Sequence, residues 1–196
     1  MAQKELRIGC VVMAAGRASR FGTNKLLQEI GGKSLLRRAL EAVPPGVFHP
    51  VAVVTRGPQA AALAAEFGFQ TVENRYPERG VSHTIRLGLS AMDGCDGVLF
   101  QVADQPFLRR ETVAAAAALW RERPEAIVAL GRGGRRGNPC LFPARFFPEL
   151  LALTGDRGGS AVIRRHGEDL LLLEAAEEEL WDVDTPQALA ALAQRR

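Results

Sequence analysis

Apolar, β-branched runs recur at short intervals along the chain, at Arg7–Met13, Val51–Thr55, Gln70–Glu73, Val98–Ala103 and Ala126–Leu130. Between them, Ser34–Val43, Pro58–Phe67, Ser82–Met92 and Glu111–Glu122 have helix-forming composition with Gly or Pro at their ends. This alternation predicts an α/β fold with a mostly parallel sheet. "GCVVM" and "GVLFQVA" are apolar at almost every position rather than every second one, so helices should cover both faces of those strands. The expected architecture is a Rossmann-like open sheet with helices on both faces. Ligands of such sheets gather at the carboxyl ends of the strands, so the junctions after Met13, after Val102 and after Leu130 are the places to search.

The last third reads differently, with "GNPCLF", a helix over Pro143–Leu153, "TGDRGGSAVIRRHG", a strand over Leu170–Glu174 and then "LWDVDTPQALAALAQ". No linker or repeat separates it, so residues 1–196 are expected to form one domain. The Ala-rich run Val113–Leu119 reads as a close-packed helix.

Composition narrows the partners. Of the 196 residues, 47% are hydrophobic and 24% charged, which excludes general disorder. The net charge of +3 is spread thinly except at Arg17/Arg20/Lys25, Arg109-Arg110 and Arg132/Arg135/Arg136, and the Arg109 pair is expected to be a solvated loop. With only 6% aromatic residues and no basic-aromatic interleaving, nucleic acid is not an expected partner, whereas small anions are. Cys10, Cys95 and Cys140 form no CxxC pair and lie in or beside apolar runs. They are expected to be packed, reduced thiols in a cytoplasmic protein. No run approaches the ~18 apolar residues of a membrane span, and residues 8–15, flanked by charge, do not make a signal peptide.

The stretch "VVMAAGRASRFGTNKLL" (Val11 to Leu27) passes from a strand through two glycines and three cations toward a helical segment. Gly16 and Gly22 would let successive N–H groups turn inward as an anion nest. Arg17, Arg20 and Lys25 add positive charge, and the economical ligand is a polyphosphate. Neither GxxxxGK[ST] nor GxGxxG is present, so P-loop ATPases and Rossmann dehydrogenases drop out. In "VADQP" (Val102 to Pro106) a hydrophobic strand delivers Asp104 at its carboxyl end. That position suits a divalent cation, or equally a cap on the next helix or turn.

"AAGRASRFGTNKLL" resembles the AAGxSxRxGxxK signature of nucleotidyltransferases, and among them the molybdenum cofactor cytidylyltransferases of the MobA-like NTP transferases. "VADQP", "RGVSHTIRLGL" (79–89), "GRRGNPCLF" (134–142), "LTGDRGGSAVI" (153–163) and "WDVDTPQAL" (181–189) resemble the family's later motifs in the same order, with His83 and Thr84 departing from the commoner residues. The resemblance implies a nucleotide-diphospho-sugar transferase-like fold and transfer of CMP from CTP to the terminal phosphate of molybdopterin. It implies nucleotide binding by Ala14, Ala15, Gly16, Arg17, Ser19, Gly22, Ser82 and Thr84, and catalysis by Arg20, Lys25 and Asp104. Mg²⁺ or Mn²⁺ would sit on Asp104 and Asp184, with Asp182 the second choice. Asp184 could instead cap the helix that Pro186 begins.

The acceptor would meet Arg135, Arg136 and Asn138 in the loop after Leu130, because arginine forks suit phosphate. Asp156 either caps a helix or faces the acceptor. "MAAG" resembles the cytidine type rather than the LAGG of guanylyltransferases, and a methyl at Ala15 would disfavour the larger purine. His83 is not needed as a base, since a phosphate nucleophile has no proton to lose, and His49 and His166 read as loop histidines. A molybdenum hydroxylase or its maturation chaperone is the implied partner. The alternatives are a non-catalytic cofactor-binding accessory protein and a guanylyl- or other nucleotidyltransferase of the same fold.

Overall fold

A computed structural model describes residues 5–16 and 25–193. The order is β1 (Ile8–Ala14), a small hairpin of β2 (Glu29–Ile30) and β3 (Lys33–Ser34), α1 (Leu35–Glu41), β4 (Val51–Thr55), α2 (Pro58–Glu66) and β5 (Gln70–Glu73). There follow α3 (Val81–Leu89), β6 (Gly97–Val102), α4 (Arg110–Glu122), β7 (Ile127–Arg132) and β8 (Arg135–Pro143). The chain closes with α5 (Phe147–Leu151), α6 (Ser160–Ile163), β9 (Leu170–Glu174) and α7 (Pro186–Ala193). None of these helices is long and apolar enough to cross a membrane.

Seven strands make one sheet in the order β5-β4-β1-β6-β8-β7-β9. All run parallel except β8, which is antiparallel to both β6 and β7. The expected mostly parallel α/β sheet is therefore present. "GNPCLF", which carried no expected element, is the greater part of β8. Its polar start at Arg135 and Arg136 extends past the carboxyl end of β6, because Phe100 is already level with Cys140.

Alternate strand residues feed two cores. Cys10, Val12, Val53, Leu99, Val128 and Leu141 pack with α1, α2 and α4. Val11, Ala52, Val54, Val98, Phe100 and Phe142 pack with α3, α5 and α6 on the other face. This two-sided covering explains why the strands read as continuous apolar runs. Ser34 caps α1, its hydroxyl accepting from Arg37 N–H at 3.2 Å, so the helix starts where the sequence suggested.

Close approach of helices to the sheet depends on two glycines. A Cβ on Gly88 of α3 would lie 2.5 Å from Val11 Cγ1, and one on Gly97 of β6 would lie 2.7 Å from the buried Trp120 ring. Gly88→Ala is expected to destabilise the fold by about 1–3 kcal/mol through overpacking, despite alanine's better helix propensity. Urea denaturation would show this as a lower midpoint with an unchanged slope.

Arg109 and Arg110 are solvent-exposed, as expected, and in addition each is hydrogen-bonded to a neighbouring segment. Arg109 N–H donates to the buried Glu179 at 3.0 Å, its guanidinium meets Glu178 at 2.7 Å, and the Arg110 guanidinium donates to the Glu41 carbonyl at 2.9 Å. They fasten the start of α4 to the segment after β9 and to α1. The three cysteines are buried free thiols, as expected, and burial pushes the Cys140 thiol up to about 11.

Candidate active site

The carboxyl ends of the parallel strands bring three separated sequence segments together. Lys25, opening a single 3-10 turn over Lys25–Leu27, places its ammonium 2.8 Å from Asp104 Oδ2 and 3.3 Å from Asp184 Oδ1. The ammonium is held between two acids that lie 80 residues apart in sequence. The backbone closes the arrangement, since Val183 N–H donates to the Asp104 carbonyl at 2.9 Å.

Neither aspartate is committed to capping. The helix after Asp104 starts only at Arg110 and has no side-chain cap. At α7 the cap is Thr185, whose hydroxyl accepts from Ala188 N–H at 3.1 Å. Both carboxylates are left for ionic partners. Asp182 joins them, and its carboxyl is pushed up to about 6, first by desolvation and then by the charges of Asp104 and Asp184, against the opposing effects of a Gln105 hydrogen bond and Lys25. Among the described residues, three acids share one lysine, an excess of negative charge. The site's hard oxygen donors suit a divalent cation such as Mg²⁺ or Mn²⁺, with Asp104 and Asp184 as the residues that can hold it.

Two adjoining cavities open at this edge and share Met13, Val81 and Val102 as lining. The smaller, about 280 Å³, contains Gly16, Lys25, Thr84, Asp104 and Asp184. The larger, about 660 Å³, has a basic rim of Arg132, Arg135 and Arg136 and includes Asn138, Asp156 and Asp182. The groove is therefore lysine and carboxylate at one end and arginine at the other.

Residues 10–170 match the family model described as the MobA-like NTP transferase domain. The chain belongs to that family. Among its relatives is the purine catabolism protein PucB of Bacillus subtilis, 27% identical over 190 residues, an alignment covering 90% of this chain and 91% of PucB. Rv0371c of Mycobacterium tuberculosis has the same fold, with a TM-score of 0.80, 24% identity and coverage of 98% of this chain and 100% of that one. Rv0371c has also been solved in complex with manganese. The 4-diphosphocytidyl-2C-methyl-D-erythritol synthase of Anaerococcus prevotii overlays with a TM-score of 0.73 at 16% identity, covering 96% of this chain and 97% of its own.

Within this MobA-like NTP transferase, the residues expected to bind nucleotide are distributed unevenly. Arg17, Ser19, Arg20 and Gly22 lie outside the described residues. Gly16 borders the smaller cavity, its φ is not left-handed, and among the described residues an added Cβ would meet nothing within 4 Å. Ala14 and Ala15 are 6% and 2% exposed and pack into opposite cores, and neither lines either cavity. Thr84 borders the smaller cavity, and its hydroxyl accepts from Asn74 Nδ2 at 3.2 Å. The Ser82 hydroxyl is fully buried and has no hydrogen-bond partner among the described residues.

The acceptor residues also need one correction. Arg135, Arg136 and Asn138 belong to strand β8 and not to a loop, although they do line the larger cavity. Asp156 lines it too and caps no helix, since α6 follows an N-cap at Gly159. The Asp156 loop is docked on the start of α3: Ser82 N–H donates to the Gly155 carbonyl at 3.0 Å, and a Cβ on Gly80 would lie 2.6 Å from Asp156 Oδ1. Gly80, at φ 81°, is where glycine is required twice over.

No histidine lines either cavity. His166 lies in a loop, as expected, and is held there, its Nε2 2.7 Å from Glu149 and its ring against Phe146. Gln105 is the residue that reasoning from sequence passed over. It follows Asp104 at the strand end and looks like an ordinary loop amide, yet it is 2% exposed and lines the larger cavity.

Proposed function

We propose that the protein is a molybdenum cofactor cytidylyltransferase, transferring CMP from CTP to the terminal phosphate of molybdopterin with release of pyrophosphate. The observation that carries this reading is the Lys25 bridge between Asp104 and Asp184, set where a lysine-carboxylate cavity adjoins an arginine-rimmed one. Joining two anionic substrates needs such a junction. The nucleotide belongs in the smaller cavity with Lys25, and the acceptor in the larger, its phosphate paired with Arg135 and Arg136.

In the reaction, an acceptor phosphate oxygen forms a bond to the α-phosphorus as the bridge to the β-phosphorus breaks and pyrophosphate leaves. The nucleophile is already an anion, so no general base is required, in keeping with cavities free of histidine. This chain's contribution is alignment and charge: Lys25 balances developing negative charge, while β8 and the Asp156 loop hold the acceptor in line. A Mg²⁺ or Mn²⁺ ion on Asp104 and Asp184 would supply charge neutralisation at the triphosphate. The manganese complex of Rv0371c supports a metal of this type, and the diphosphocytidyl product named for the Anaerococcus prevotii enzyme supports cytidine.

The test is pyrophosphate release in Mg²⁺ with molybdopterin and each of the four nucleoside triphosphates. Release is expected with CTP well above the others. Equal turnover of all four, or a preference for GTP, would refute the cytidine assignment. Tight molybdopterin binding without any release would make the protein a carrier instead.

A further inference from the structure

The larger cavity is rimmed by arginine, yet apolar surface is open in it as well. Met13, Val81, Val102, Leu180 and Trp181 line it, and each keeps part of its side chain accessible. Val81, at 38% exposure, is among the most open large apolar residues described. Trp181 is the largest of the group, and it is held in place. Phe107 and Trp181 meet edge to face, with 6.2 Å between ring centroids and 84° between planes, and both pack with the buried Ile30, Leu35, Val183 and Leu192. Strand β8 fixes where this ring stands. Leu180, one residue earlier, lies so close to Gly137 that an added Cβ there would come within 2.9 Å of Leu180 Cδ2. Gly137 stands in β8 between Arg136 and Asn138, so the corner carrying Trp181 is pressed onto the strand that supplies the phosphate-pairing arginines. An arginine fork for an anion and an indole for a flat surface thus adjoin in one cavity.

We infer that Trp181 is a specificity-determining residue for the acceptor: its indole carries a planar, unsaturated portion of a molecule whose phosphate is paired by Arg135 and Arg136. The inference rests on the acceptor cavity proposed above and adds the chemical class selected there, a flat-bodied phosphate ester rather than a polyol phosphate. The hydroxyls of a polyol need hydrogen-bond partners around its whole perimeter, and apolar side chains facing them would leave them unpaired. A planar ring instead packs on an aromatic one with an attraction beyond the area buried. The pterin of molybdopterin is such a ring.

The test measures binding of molybdopterin and of a sugar phosphate by calorimetry, and CMP transfer to each, in wild type, Trp181→Leu and Trp181→Phe. Trp181→Leu keeps an apolar side chain and removes the ring, while Trp181→Phe keeps a ring. Wild type is expected to bind molybdopterin about tenfold or more tighter than the sugar phosphate. Trp181→Leu is expected to weaken molybdopterin binding by about tenfold, with sugar phosphate binding and KM for CTP unchanged, and Trp181→Phe to recover most of the loss. Undiminished molybdopterin binding in Trp181→Leu, or a sugar phosphate bound by wild type as tightly as molybdopterin, would overturn the inference while CMP transfer to molybdopterin kept the proposed function standing. Loss of molybdopterin binding in both variants together with a raised KM for CTP would give Trp181 a merely structural role and overturn the inference alone. Ring-dependent binding without CMP transfer would overturn the proposed function alone, and wild type that binds no molybdopterin would overturn both.

Discussion

Asp104→Asn is expected to lower pyrophosphate release from CTP by about a thousandfold, roughly 4 kcal/mol of transition-state stabilisation. The substitution keeps the shape of the side chain and removes its charge. It deprives Lys25 of its nearer acid, at 2.8 Å, and leaves the proposed metal site one carboxylate short. The fold should not suffer, because the change also removes repulsion that Asp104 exerts on Asp182. Steady-state turnover, Mn²⁺ binding by calorimetry and a denaturation curve together check this. A variant that unfolds at the wild-type midpoint, binds Mn²⁺ weakly and turns over slowly meets the expectation. Wild-type turnover would remove Asp104 from the mechanism.

Lys25→Ala is expected to cost about 2–4 kcal/mol in kcat/KM, the scale of losing one oriented donor to a developing charge. Its second effect runs the other way for the metal. With the ammonium gone, Asp104 and Asp184 face each other without a protein cation between them, so the apparent affinity for Mn²⁺ should hold or rise while catalysis falls. Measuring both on one preparation separates a lysine that acts on substrate from one that merely holds the acids in place. Parallel loss of metal binding and turnover would assign it only the second task.

How far the sequence could be read depended on whether a signal was local. The strands β1, β4 and β6 announce themselves as apolar runs because both faces are buried. β8 does not. Gly137 and Pro139 interrupt it in a way that normally marks a turn, and the β7–β8 register shifts between Ala129 and Gly131. The strand exists because β6 and β7 flank it on both sides, a tertiary fact. The same division holds at the site. Lys25 and Asp104 stood out as charges at expected junctions and Asp184 through the resemblance carried by "WDVDTPQAL", whereas Thr185 displaced Asp184 as the cap by a contact that composition leaves undecided. Gln105 stayed hidden, because an amide acquires meaning only when its surroundings deny it water.

The reversed direction of β8 has a consequence for how this scaffold could diversify. Since β8 runs backward between β6 and β7, its beginning reaches the edge where its neighbours end, so the β7–β8 turn hangs over the groove while the parallel half beneath it stays whole. Changes in the length or charge of that one hairpin could therefore exchange one acceptor for another, leaving the nucleotide machinery inherited intact.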